Sequence, residues 1–215
     1  MAGSRPVGAL LCGGMSRRMG RDKALLALGE RTLMERALVV LDSVCADVRL
    51  CCGAQPRYAE LGRSLLLDRQ PEGGPLAGVE AALASLATHE CLVVAPVDLP
   101  WLTPSVLEEL VAARAAADAD VACARSALGL EPLVSVWAAR CLPAVQAALQ
   151  RGERRMVAPM ARLSDHGTLT LVEVTFTARS LARAFDNLNT PLDWQRAVLE
   201  TEGQSDYKES FGSPQ

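Results

Sequence analysis

The sequence predicts an α/β protein with a mostly parallel central sheet and helices on both faces. Three observations predict it. Short apolar runs alternate with longer amphipathic segments, prolines stand where helices should begin, and half of the 215 residues are hydrophobic. A chain of that length and composition can bury a full core without covalent staples. It carries no internal repeat and no low-complexity linker. One domain over residues 1–200 is therefore expected, followed by a polar, aperiodic and flexible tail over 201–215.

The elements follow in order. Val7–Leu11 is a first strand, Leu33–Val44 a helix and Val48–Cys52 a second strand. Leu65–Leu67 is a short third strand, Leu76–Ala87 a helix, and Leu92–Val97 a strongly apolar fourth strand. Pro104 opens a helix to Ala116, because proline lacks only an N–H that the first turn leaves unused, and Thr103 is placed to cap it. Val121–Ala124 and Leu133–Trp137 are strands, Leu142–Leu149 is a helix, and Thr168–Val174 is a strand. Near the carboxyl end, Thr190 should cap a helix whose first residue is Pro191 and whose third is Asp193.

Composition excludes several classes. A formal charge of −3 gives no global cationic field, so neither nucleic acid nor an anionic membrane is an expected partner. The apolar run from Val7 to Cys12 is too short for a signal-peptide core or a membrane span. Seven cysteines without a CxxC spacing read as reduced, buried thiols of a cytoplasmic protein. Only His89 and His166 are available, so a histidine-built metal site is not expected. Any catalytic metal should be a hard cation held by oxygen, with magnesium the natural candidate.

The richest signal follows the first strand: Leu11-Cys12-Gly13-Gly14-Met15-Ser16-Arg17-Arg18-Met19-Gly20-Arg21-Asp22-Lys23. Glycines let backbone N–H groups close on a ligand, and successive amides form a concave anion site. Arg17, Arg18 and Lys23 add positive charge, a combination suited to a triphosphate. Two adjacent glycines alone would be an ordinary turn. The segment matches neither the Walker pattern nor GxGxxG, so another phosphate-binding class is required.

Two carboxylates stand at strand ends. Asp68 follows the third strand, and a carboxylate there can accept from the N1–H and amino edge of guanine; taken alone it could equally cap a turn. Asp98 closes the most apolar strand in Val94-Ala95-Pro96-Val97-Asp98, where ligands of open α/β sheets collect. A charge at such a place is costly unless a cation pairs with it.

The loop Leu-x-Gly-Gly-x-Ser-x-Arg-Met-Gly-x-Asp-Lys-x-Leu resembles the signature of the molybdenum cofactor guanylyltransferases, members of the wider MobA-like nucleotidyltransferases. The resemblance runs from Val7 to about Trp194 and implies a Rossmann-like fold of the nucleotide-diphospho-sugar-transferase type. It implies transfer of GMP from GTP to the phosphate of molybdopterin, with Mg²⁺ as cofactor. It assigns Leu11, Cys12, Gly13, Gly14, Arg18 and Lys23 to the nucleotide, and Arg17, Lys23 and Asp98 to catalysis. Gly13 points to guanine, since the related cytidylyltransferases typically have alanine there. Asp68 in Asp68-Arg69-Gln70-Pro71-Glu72-Gly73-Gly74-Pro75-Leu76-Ala77-Gly78 is similar to the family's GTP-binding aspartate, with Gly74 and Gly78 lining the pocket. Asp98 matches the Mg²⁺ ligand. Gly152-Glu153-Arg154-Arg155 and Asn187-Leu188-Asn189-Thr190-Pro191 resemble segments around the pterin pocket, which makes Arg154, Arg155, Asn187 and Asn189 candidates there. Proteins that insert or receive the cofactor would be transient partners.

The chain departs from the family twice. Cys51-Cys52-Gly53 stands where an asparagine near the nucleotide is usual, and Glu131 replaces a histidine before Pro132. A cytidylyltransferase, another nucleotidyltransferase acting on a phosphorylated small molecule, or a nucleotide-binding adaptor without turnover remain the alternatives.

Overall fold

A computed structural model describes residues 5–13, 22–70, 72–160, 170–177, 181 and 183–211. Nine strands and five longer helices form within them. They are β1 (Val7–Leu11), β2 (Ala27–Leu28), β3 (Arg31–Thr32), α1 (Leu33–Val44), β4 (Asp47–Cys51), β5 (Leu65–Leu66), α2 (Pro75–Leu83), β6 (Cys91–Pro96), α3 (Pro104–Ala116), β7 (Val121–Ser126), β8 (Gly129–Ala138), α4 (Leu142–Gln150), β9 (Leu171–Thr175) and α5 (Pro191–Phe211).

Seven strands make one sheet in the order β5-β4-β1-β6-β8-β7-β9. The β1–β4, β1–β6, β4–β5 and β7–β9 pairs are parallel. Only β8 runs against its neighbours, because the two-residue turn at Ala127 and Leu128 folds it straight back on β7. The mostly parallel sheet expected from the sequence is thus present.

Strand alternation divides the core into two layers. Leu10, Leu50, Val93, Ala122 and Val136 face one side, where they meet Leu41 of α1 and Leu107 and Leu110 of α3. Ala9, Cys51, Leu92, Val94, Val121 and Trp137 face the other, against Leu76 and Val79 of α2 and Val145 and Ala148 of α4. Leu10, Leu41, Leu50, Leu76, Leu92, Leu107 and Leu110 are fully buried, and each contributes roughly 1.5–3 kcal/mol by leaving water.

Local chemistry fixes the helix ends. Thr32 and Glu35 form a reciprocal capping box at α1. At α5, Thr190 Oγ1 accepts from Asp193 N at 3.2 Å, while Asp193 Oδ2 accepts from Thr190 N at 2.8 Å and Asn189 N at 3.0 Å. Thr190, Pro191 and Asp193 therefore hold the positions read from the sequence. Thr103 is the N-cap residue of α3, but its side chain makes no capping bond and meets Ser105 Oγ at 3.0 Å instead. The second predicted helix ends at Leu83 rather than Ala87, where Ser85 Oγ bonds the Ala82 carbonyl and the chain tightens into turns. Helical backbone in α5 continues to Phe211, past Thr201, where an aperiodic tail was expected.

The small β2–β3 hairpin escaped sequence reading because each strand is two residues long. It serves as a seat for the carboxyl-terminal segment. Leu28 and Leu33 pack with Leu188 and Ala197, and Leu188 N donates to the Asp98 carbonyl at 3.1 Å. That docking brings Lys23 and Asn189, 166 positions apart in the chain, together at the mouth of the sheet.

Candidate active site

The sheet order determines the site. β1 is flanked by β4 and β6, and their carboxyl ends lie level, with Leu11 opposite both Cys51 and Pro96. The loops after the three strands must leave side by side, which is where open α/β sheets form ligand clefts. An open cleft of about 820 Å³ lies across them. Of the residues predicted for the nucleotide, Leu11, Cys12, Gly13, Lys23, Asp68, Gly74, Gly78 and Asp98 line it. Gly14, Arg17 and Arg18 lie outside the described residues.

The two strand-end carboxylates stand on opposite sides of β1. Asp68 follows β5, and its N–H donates to the Gly53 carbonyl at 2.8 Å. Burial, followed by the negative charge of Glu80, pushes the Asp68 carboxyl up to about 6. Glu80 is a buried carboxylate in α2, bonded by Gln146 Nε2 at 2.9 Å and paired with Arg69 at 3.6 Å. Asp98 follows β6 on the other side. Its Oδ2 lies 3.1 Å from Lys23 Nζ, and Lys23 Nζ also donates to Asn189 Oδ1 at 2.9 Å. The Lys23 side chain is 11% exposed and that of Asp98 23%, so the pair sits in a partly dry site where charges interact strongly.

Lys23 opens a single 3₁₀ turn, Lys23–Leu25, capped by Asp22 Oδ1, which accepts from Ala24 N at 3.1 Å. Asp22 Oδ2 accepts from Tyr58 OH at 2.7 Å and lies 3.5 Å from Arg57 Nη1. Arg57 Nη2 donates to the Cys12 carbonyl at 2.9 Å. Burial, followed by the bond to Asp22, raises the Tyr58 phenol well above its ordinary value, so it remains a donor. None of Asp22, Arg57 and Tyr58 had been singled out as a site residue. Asp22 adjoins Lys23 in the quoted motif, but Arg57 and Tyr58 give no sequence signal, since only folding carries them across to the first loop.

The floor of the cleft holds two thiols. Cys12 Sγ donates to the Cys51 carbonyl at 3.4 Å and Cys52 Sγ to the Arg57 carbonyl at 3.3 Å, and the interaction of the two thiols pushes Cys12 up and Cys52 down. All seven cysteines are free and six are buried.

The candidates for the second substrate are divided. Asn189 is not among the residues lining the cleft but adjoins it through its bond to Lys23. Arg154 lines a smaller depression of about 190 Å³ with Gln70, Glu72, Gly73, Leu149, Gly152 and Glu153, next to the backbone of Gly74. Arg155 and Asn187 are exposed and line neither. Among the described residues no group of three or more His, Cys, Asp or Glu could by itself hold a metal, and no helix is long and apolar enough to cross a membrane.

Residues 8–166 match the MobA-like NTP transferase domain. The chain belongs to this family. As a MobA-like NTP transferase it is 32% identical over 200 residues to a protein of Pelotomaculum thermopropionicum named probable molybdenum cofactor guanylyltransferase, spanning 91% of this chain and 93% of that one. It is 34% identical over 197 residues to the molybdenum cofactor guanylyltransferase of Rhodobacter capsulatus, spanning 90% and 95%. The crystal structure of molybdopterin-guanine dinucleotide biosynthesis protein A from Archaeoglobus fulgidus superposes with a TM-score of 0.74 at 26% identity, covering 92% of this chain and 99% of that one. The nucleotide-diphospho-sugar-transferase-like fold and the nucleotidyltransferase class expected from the sequence both hold.

Proposed function

We propose that this protein transfers GMP from GTP to the phosphate of molybdopterin, giving the guanine dinucleotide form of the cofactor and pyrophosphate. One observation carries the reading: a single cleft presents a carboxylate for a base at one end, Asp68, and a lysine–carboxylate pair for phosphate and metal at the other, Lys23 and Asp98. Between them Gly13 exposes backbone at the end of β1, and the close approach of Gly53 leaves no space for a side chain there.

Each residue then has a role. Asp68 accepts from the N1–H and amino group of guanine, a pairing cytosine cannot offer. Gly13 and Gly14, with Arg17 and Arg18, cradle the triphosphate, and Gly74 and Gly78 let the base approach the start of α2. Lys23 leaves Asp98 for the phosphates once the ligand is bound. Asp98 would hold a divalent cation, for which Mg²⁺ fits, since it prefers oxygen donors and is commonly held by one or two carboxylates plus substrate phosphates. When bound, the cation offsets charge developing on the phosphate oxygens.

An oxygen of the molybdopterin phosphate attacks the α-phosphorus of GTP in line, the bond to the bridging β-oxygen breaks, and pyrophosphate departs. The attacking phosphate is ionised at neutral pH, so no general base is needed, and catalysis consists of positioning and charge neutralisation. Asn189 and Arg154 adjoin this site and would orient the pterin, while Arg155 and Asn187, exposed and lining neither depression, are candidates for it through the family resemblance alone. Residues 1–200 act as one nucleotidyltransferase domain in the cytoplasm, with residues 201–215 as an appendage and the proteins that insert or receive the cofactor as transient partners.

Pyrophosphate release measured with GTP, CTP and UTP in the presence of molybdopterin and Mg²⁺ tests this. GTP should be strongly preferred; preference for CTP would overturn the assignment. Asp98→Ala should fold yet lose transfer, and an active variant would remove the metal role. Tight GTP binding without any Mg²⁺-dependent turnover would favour the adaptor.

A further inference from the structure

We infer that Tyr58 and Arg57 are positioning residues for Lys23, acting through the Asp22 carboxylate. The inference rests on the proposed role of Lys23 and adds residues to which that role assigns nothing.

Lys23 sits on a three-residue 3₁₀ turn, too short to hold its own orientation, since one turn fixes several torsions for one or two hydrogen bonds. Its cap supplies an anchor on the backbone side, beside the bonds that Lys23 Nζ makes to Asp98 and Asn189. Asp22 divides its two oxygens between two tasks: Oδ1 accepts from Ala24 N, closing the turn, and Oδ2 accepts from Tyr58 OH at 2.7 Å. With both oxygens engaged, rotation of the carboxylate would break a bond at either end.

Tyr58 is itself firmly placed. It is 5% exposed, and its backbone is left-handed, with φ 66° and ψ 30°, a conformation that a bulky aromatic residue keeps only where its surroundings hold it. The Arg57 guanidinium stands 5.3 Å from the centre of the Tyr58 ring, and its Nη1 and Nη2 reach Asp22 and the Cys12 carbonyl. The loop after β4 is thereby fastened to the end of β1 and to the turn carrying Lys23. Asp22 and Arg57 also line the cleft, whereas Tyr58 does not, so a change at Tyr58 reaches the ammonium only through the brace that sets where it stands relative to Asp98.

A kinetic double-mutant cycle tests the link. Wild type, Tyr58→Phe, Lys23→Met and the double variant are compared for kcat and KM with GTP, and for thermal midpoint. Tyr58→Phe keeps the ring and removes a charge-assisted hydrogen bond. It should lower kcat about tenfold while KM changes less than about threefold, because the base and loop contacts that set affinity are intact. In the Lys23→Met background the same change should alter kcat by less than about twofold. Multiplying effects, or a wild-type kcat for Tyr58→Phe, would overturn the inference. A wild-type kcat for Lys23→Met would instead sink the role of Lys23 on which it rests, whatever Tyr58→Phe does. Should Tyr58→Phe not fold, Asp22→Asn replaces it in the cycle, since asparagine keeps the acceptor for Ala24 N but removes the charge that binds Tyr58 OH and Arg57, leaving at most a neutral bond from the amide to the phenol oxygen. The same outcomes then decide.

Discussion

Gly13→Ala perturbs the cleft at its tightest backbone contact. A methyl group at Gly13 would lie 2.6 Å from Gly53 N and 2.9 Å from both Gly53 Cα and the Cys52 carbonyl carbon. All three are backbone atoms, which cannot swing aside as a side chain can. To reach the 3.4 Å of ordinary contact, the loop after β4 must retreat by about 0.8 Å. Gly53 has φ +78°, and a methyl there would meet the Gly13 carbonyl oxygen at 3.1 Å, so the two glycines close on each other. The displacement does not stop there, because Gly53 O is the acceptor for Asp68 N. Overpacking of this kind costs roughly 1–3 kcal/mol. A misplacement near 1 Å can cost about 100-fold in function, so GTP affinity should fall at least tenfold. Urea unfolding measures the first effect and calorimetric titration with GTP and Mg²⁺ the second. If the alanine variant unfolds within about 0.5 kcal/mol of wild type and binds GTP equally well, the Gly13–Gly53 contact has no such role. The glycine that the family resemblance ties to guanine has a steric cause in this chain.

Two further outcomes follow from the charges of the cleft. The Asp68 carboxyl titrates at about 6, so GTP affinity should drop as pH falls through that value, and Asp68→Asn should abolish the dependence; a flat binding profile from pH 5 to 8 would remove Asp68 from base recognition. The folded state holds this proton more tightly than the unfolded one, so the stabilisation is complete below 3.8 and is lost as pH rises through about 6. Asp68→Asn should therefore raise the thermal midpoint at pH 8 while weakening GTP binding.

The sequence by itself determined the α/β class, the main strands, the cap at Thr190 and the two strand-end carboxylates, because periodicity, capping and strand-end position are local properties of the chain. Asp98 was legible as the charge ending an apolar strand, and Lys23 through its motif. Only the tertiary structure decided which of these residues share a cleft. The reversal of strand order at β1 puts Asp68 and Asp98 on opposite sides of one glycine, and the docking of Leu188 on Leu28 and Leu33 delivers Asn189 to Lys23. Asn187, two residues away and of the same chemistry, is left at the surface. Arg57 and Tyr58 lie 35 and 36 residues from Asp22, beyond the reach of any local pattern. Their partnership exists because parallel pairing of β1 with β4 sets the two following loops side by side, a consequence of sheet register that no spacing along the chain encodes.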